Sequence, residues 1–323
     1  MHYLITGGAG FIGSHLSDCL LRAGHRVTIL DDLSTGRYEN VAPLEDSPDF
    51  RFVKDSVLKA DLVETLVRDA DRVFHLASAV GVRLVMERPV HTIESIFQGT
   101  ATVLGAAARY RKRFVLTSTS EVYGKSAEIP FREDGDRLEG PTQKHRWAYA
   151  ATKALDEFLT LAHWKESRLP VVIARLFNTV GPRQSGDYGM VLPNFIAAAL
   201  AGRELVVHGD GTQQRCFCHV RDVVGALAGL MDCPAATGGV FNIGSTREIA
   251  ITELARLVIQ RTGSASTIRW LPYERAYGEG FEDMRRRVPS VERIQGAIGW
   301  SPRIPLEQII DEVAATIAGR PSP

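Results

Sequence analysis

Short apolar runs alternate with stretches of helical spacing along the first half of the chain. Residues 2–6 (HYLIT) are strand-like and run into a glycine turn. Residues 14–23 then place Leu16, Cys19 and Leu20 on one helical face. Strand-like runs recur at 26–30, 50–53, 72–76 and 114–117, with helical stretches at 58–67 and 100–109 among them. Repeated strand–helix–strand units predict an α/β fold, a doubly wound parallel sheet with helices on both faces.

Past about residue 175 the texture changes. Prolines at 182, 193, 234, 272, 289, 302 and 305 punctuate shorter elements, and glycine turns such as Gly209-Asp210-Gly211 separate them. Residues 191–201 and 251–262 read as helices, and 273–287, rich in glycine and charge, as a loop over a site. The pattern predicts two lobes. Residues 1–175 form the sheet domain and 176–323 a smaller mixed α/β substrate lobe, with an approximate boundary across which segments may interleave.

Composition narrows the function classes. The 323 residues are 45% hydrophobic and 24% charged, an ordinary globular balance. Lys plus Arg and Asp plus Glu stand at 38 each, so no bulk field favours nucleic acid or an anionic membrane. The opening MHYLITGGAG lacks the basic start and long apolar run of a targeting segment, and no apolar stretch is long enough to span a bilayer. Four cysteines are too few for a disulfide framework, and the Cys216-x-Cys218 pair has no matching metal ligands nearby. The expectation is a cytoplasmic protein without a metal.

The glycine turn carries the first chemistry. Gly7, Gly10 and Gly13, spaced G-x-x-G-x-x-G, follow the first strand and open the first helix, where Phe11 and Ile12 stand. Glycine permits the tight turn and lets a pyrophosphate approach backbone, and the helix N-terminus offers free N–H groups. Asp31 and Asp32 end the second strand, about 20 residues on, where an acid hydrogen-bonds ribose hydroxyls. Its charge disfavours a 2′-phosphate, so the cofactor expected is NAD. Asp55 and Ser56 close the third strand, in reach of an adenine, and Leu76, Ala77 and Ser78 end the fourth.

The second chemistry lies at Leu116-Thr117-Ser118-Thr119-Ser120-Glu121 and at Arg146-Trp147-Ala148-Tyr149-Ala150-Ala151-Thr152-Lys153. Tyr149 and Lys153 are four apart and share a helical face. A free tyrosine titrates near pH 10, too high for a base at neutrality, and a nearby ammonium lowers that value. Lys153 can do this while holding a nicotinamide ribose. Thr119 can hydrogen-bond a substrate hydroxyl whose proton Tyr149 takes as hydride leaves for NAD.

With these motifs the chain resembles the extended short-chain dehydrogenase/reductases that act on nucleotide sugars, over essentially its whole length. ARLFNTVGPR at 174–183 and HGDGTQQRCF at 208–217 belong to the likeness. The resemblance implies a Rossmann domain and a catalytic set of Thr119, Tyr149 and Lys153. It also implies that Asn178, Arg215 and Arg287 hold a nucleoside diphosphate, with Arg183 a weaker candidate and Arg83, Leu192 and His208 as further substrate contacts. It implies a homodimer formed through helices beside the tyrosine.

Within that family, Thr119-Ser120-Glu121 looks like the Thr-Ser-Glu of UDP-glucuronate decarboxylases, which form UDP-xylose. GPTQKHRWAYAATK at 140–153 and YGEGFEDMRRRVPS at 277–290 are similar to stretches of such decarboxylases and of UDP-apiose/xylose synthases. That likeness assigns Arg146, Asp283 and Arg287 to the sugar end. Ser120 and Val80 replace cysteines of the apiose enzymes, and Ala150 departs from the common xylose synthases. Val80-Gly81-Val82-Arg83 looks more like the loop of UDP-sugar 4-epimerases. Three readings stand: decarboxylation of UDP-glucuronate, 4-epimerisation of UDP-glucuronate, UDP-glucose or UDP-N-acetylglucosamine, and a non-catalytic NAD-binding protein.

Overall fold

The computed structural model describes residues 1–78, 88–187, 189–277 and 284–319. Six strands follow one another: β1 (His2–Thr6), β2 (Arg26–Asp31), β3 (Phe50–Lys54), β4 (Arg72–His75), β5 (Arg113–Thr119) and β6 (Val171–Leu176). The chain then makes β7 (Thr179–Val180), β8 (Leu205–His208), β9 (Gln214–Cys216) and β10 (Cys218–His219), and returns to the sheet as β11 (Val240–Ile243). The sheet runs β3-β2-β1-β4-β5-β6-β11, parallel throughout.

Strand alternation sorts the core into two layers. Tyr3, Ile5, Val27, Ile29, Phe74 and Val115 point to one face, where α1 (Phe11–Arg22) packs on α6 (Val220–Asp232). Leu4, Leu30, Val73, Phe114 and Leu116 point to the other. There α2 (Ala60–Asp69) packs on α3 (Pro89–Arg109), which packs on α4 (Ala148–Ser167). The smaller lobe gathers α5 (Val191–Leu200), α7 (Ile251–Thr262) and α10 (Leu306–Ala318) around Leu205 and Val207 of β8. β12 (Glu248–Ala250) pairs with β9, β13 (Ile268–Leu271) with β8, and α8 (Tyr273–Tyr277) and α9 (Glu292–Ile298) complete the order.

One feature differs from the sequence pattern. The helix expected at 100–109 begins at Pro89, which fits a first turn because its missing N–H is unpaired there anyway. Its first half exposes Val90 and Ile93 and buries Thr92, so hydropathy hides the period. Past the approximate boundary at 175, where segments could interleave, the chain returns to the large sheet: α6 packs on α1 and β11 pairs with β6.

Candidate active site

The topology places a crevice where β1 and β4 lie side by side while the chain departs from them in opposite directions. A cleft of about 940 Å³ opens at this carboxyl edge and extends into the smaller lobe. Its lining includes Gly7, Gly10, Phe11, Ile12, Gly13, Asp31, Asp32, Asp55, Ser56, Leu76, Ala77 and Ser78 at one end. Thr119, Ser120, Glu121, Arg146, Tyr149, Lys153, Asn178, Leu192, His208, Arg215 and Arg287 line the other. Arg83 and Asp283 lie outside the described residues.

At the first end the backbone itself makes the site. Gly7 has φ +72°, and a Cβ on it would stand 2.7 Å from the Ala77 nitrogen; one on Gly13 would stand 2.2 Å from the Gly7 carbonyl. Any side chain there would force strand, turn and helix apart. Gly10 caps α1 without a side chain, so the first-turn N–H groups stay open for an anion. Asp31 accepts from the Ala9 N–H through Oδ2 and from the Leu33 N–H through Oδ1, both at 2.9 Å. Burial raises the Asp31 carboxyl, and these amides oppose the rise. Asp31 thus folds the loop, and an ionised carboxylate keeps lone pairs for a ribose. The cradle and its acid fit a dinucleotide.

The second end is built from side chains delivered by separate elements. The Thr119 hydroxyl, at the end of β5, accepts from the Glu121 N–H at 3.2 Å and starts a 3-10 turn over Ser120–Tyr123. That turn aims Glu121 between two guanidiniums: Arg146 Nη2 stands 2.6 Å from Oε2, and Arg287 Nη2 2.7 Å from Oε1. All three side chains are buried. Burial by itself pushes the Glu121 carboxyl up, but Arg146, Arg287 and then Arg215 overcome it and hold it at about 2. The cluster is therefore ionised and carries a net positive charge.

Tyr149 sits beside this cluster. Burial first, then the Glu121 charge, push its phenol well above the usual range, while the Thr119 and Ser78 hydroxyls pull the other way. This is opposite to the lowering expected from Lys153. Burial and the Glu121 charge set that direction, with Asp156, whose Oδ2 accepts from Lys153 Nζ at 3.0 Å, adding the smallest push. Asn178, at φ +26°, donates from Nδ2 to the Cys216 carbonyl at 2.9 Å and ties β9 to the cleft floor. Cys216 and Cys218 are buried free thiols, both raised by burial, Cys216 to about 12.

Some lining residues carry no sequence signal. Arg37 reaches the cleft from the loop after β2 and pairs with Asp187, and Tyr273 enters against Gly209. Both depend on contacts distant in sequence.

The NAD dependent epimerase/dehydratase family model matches residues 3–244. The chain is 43% identical over 310 residues to a UDP-N-acetyl-alpha-D-glucosaminuronate decarboxylase of Bacillus cytotoxicus, covering 96% of this chain and 95% of that one. It is 37% identical over 305 residues to UDP-glucuronic acid decarboxylase 1 of Xenopus tropicalis, covering 94% and 69%. Among solved structures it is similar to the UDP-glucuronic acid 4-epimerase of Bacillus cereus in complex with UDP-glucuronic acid and NAD. There the TM-score is 0.89, the identity 27%, and the coverage 98% of this chain and 99% of that one. The chain belongs to the NAD-dependent epimerase/dehydratase family.

Proposed function

We propose that this protein decarboxylates a UDP-linked hexuronate after oxidising it at C4, with UDP-glucuronate giving UDP-xylose as the first reaction to test. One observation carries the reading: Glu121, held ionised between Arg146 and Arg287, lies in the cleft beside Tyr149 and Thr119. A UDP-hexuronate brings one negative charge more than a neutral UDP-sugar. The net positive cluster and Arg215 favour that extra charge.

Gly7, Gly10, Gly13 and the start of α1 hold the pyrophosphate, Asp31 the adenosine ribose, and Lys153 the nicotinamide ribose. When bound there, NAD would supply a hydride acceptor for C4 and, reduced, the hydride for the closing reduction. Tyr149 would take the O4 proton once its own proton has left, an ionisation that the cationic ring of bound NAD would favour, and the Thr119 hydroxyl holds the same oxygen. Oxidation leaves a ketone β to the carboxylate. The C5–C6 bond then breaks, carbon dioxide leaves, and its electron pair forms a C4–C5 enolate. Tyr149, now protonated, and Thr119 donate to the enolate oxygen, and a proton from water added at C5 gives the 4-ketopentose whose reduction at C4 yields UDP-xylose. Asn178, Arg215 and Arg287 hold the diphosphate and uronate end, with Leu192 and His208 beside them.

A second substrate has its own support: the 43% relative is named for the 2-acetamido uronate. Incubation with UDP-glucuronate, its 2-acetamido counterpart and UDP-glucose, followed by mass spectrometry, tests the reading. Decarboxylated product from a uronate is expected. Uronate products of unchanged mass with inverted C4 would replace decarboxylation by epimerisation.

The protein acts as a homodimer in this reading, through the outer surfaces of α3 and α4. Val90 and Ile93 on α3 and Leu155 and Phe158 on α4 are exposed, Phe158 to 64%. Four free thiols fit a reducing compartment such as the cytoplasm.

A further inference from the structure

Behind Lys153, on the side away from the cleft, lies a buried chain of polar groups that the mechanism above does not use. The Ala77 N–H donates to Thr6 Oγ1 at 3.4 Å, and Thr6 Oγ1 lies 2.7 Å from His75 Nδ1. His75 Nε2 lies 3.1 Å from Thr100 Oγ1, which donates to Asp156 Oδ2 at 2.9 Å. Lys153 Nζ donates to the same oxygen.

With a neutral imidazole, one assignment of protons satisfies this chain. Thr100 gives its hydrogen to Asp156, so it must accept from His75 Nε2–H. His75 Nδ1 then accepts from Thr6. Burial followed by Lys153 hold His75 down at about 3, which keeps the imidazole neutral. The chain ends on Asp156, which has no solvent exposure, whose Oδ1 has no hydrogen-bond partner among the described residues, and whose Oδ2 stands 3.0 Å from Lys153 Nζ. A buried carboxylate with an unpaired oxygen is costly unless its charge is balanced. Lys153 is the cation that balances it.

Other ionisable groups approach from each packed element. Tyr149 and Glu157 share α4, with Glu157 paired to Arg175 of β6; Glu121 lies on the turn after β5, and His75 on β4. Burial pushes the Asp156 carboxyl up, against Lys153 and Thr100, and Asp156 adds to the upward push on Tyr149.

We propose that Asp156 is a positioning residue for Lys153: it takes one ammonium donor from behind, aims the others into the cleft, and by balancing that charge sets the partition between oxidised and reduced coenzyme. The inference rests on the reading that Lys153 faces the nicotinamide ribose. The sign follows from charge. The nicotinamide ring of NAD⁺ is cationic and that of NADH is neutral. With Asp156 ionised, Lys153 adds little net positive charge near the ring. With a neutral group at 156, the uncompensated ammonium disfavours NAD⁺ relative to NADH.

The test measures dissociation constants for NAD⁺ and NADH by calorimetry on the coenzyme-stripped full chain, wild type against Asp156→Asn, which keeps shape and removes charge. The NADH-over-NAD⁺ preference is expected to rise about tenfold, the scale of one unit charge acting over roughly 12 Å at an effective dielectric of about 20. This equals about 30 mV for a two-electron couple. An unchanged ratio overturns the proposal. Thr100→Val is a second variant, which removes the hydroxyl that helps keep Asp156 ionised. It should move the ratio the same way by about threefold, and if Asp156→Asn does not fold, an unchanged ratio in Thr100→Val overturns the proposal. The readout needs no sugar. If the wild-type protein binds coenzyme but turns over no UDP-sugar, the functional reading fails while this inference is still decided.

Discussion

The two ends of the cleft are made from different materials. The coenzyme end is backbone: glycines that admit no Cβ, a helix start without a side-chain cap, and Asp31 folded onto the loop amides. The sugar end is buried charge, with Glu121, Arg146 and Arg287 brought from three separate elements. Shape fixes the first end and charge balance the second. Damage to one should therefore leave the other working, and α4, which carries Tyr149 and Lys153, joins them.

The largest effect is expected at that join. Tyr149→Phe keeps the ring and removes the proton acceptor, so turnover should fall about a thousandfold. Coenzyme and UDP should still bind by calorimetry; loss of both would show that the two ends are not separable. Next comes the sugar end alone. Arg287→Ala removes one of the two guanidiniums paired with Glu121 and a charge-assisted donor for the substrate, so kcat/KM for a UDP-uronate should fall about a hundredfold with NAD affinity unmoved. A matching loss of NAD affinity would break the comparison.

Gly13→Ala probes the other end. Its Cβ meets the Gly7 carbonyl, so NAD affinity should fall about tenfold while UDP affinity holds. A change in UDP affinity alone would reverse the assignment of the ends.

The smallest effect is in stability against pH. Glu121 has its folded value depressed from 4.5 to about 2. The stability it contributes is present above pH 4.5 and is lost as pH falls toward 2. The urea-midpoint difference between wild type and Glu121→Gln should narrow across that window. A constant difference would show that the cluster is not held ionised.

The two ends were also unequally legible in the sequence. G-x-x-G-x-x-G after an apolar run marks a turn whose constraints are local, so the first end could be read from neighbours in the chain. Tyr149 and Lys153 were readable because helical spacing puts them on one face. The pairing of Glu121 with both Arg146 and Arg287 was not, since it depends on a loop beyond residue 283 folding back over the sheet. Asp156 was also missed: at a position three after Lys153 it reads as one more polar residue of a helix, and only packing buries it. The return of α6 and β11 to the large sheet was hidden for the same reason, because strand pairing between Val240–Ile243 and Val171–Leu176 leaves no local pattern.

The most direct test uses UDP-glucuronate and its 2-acetamido counterpart, each labelled with heavy carbon in the carboxyl group, incubated with NAD and the wild-type protein. Release of labelled carbon dioxide from at least one of them, abolished in Tyr149→Phe, is the result this account predicts. Label retained in a C4-inverted UDP-sugar, with no labelled gas from either substrate, would contradict it.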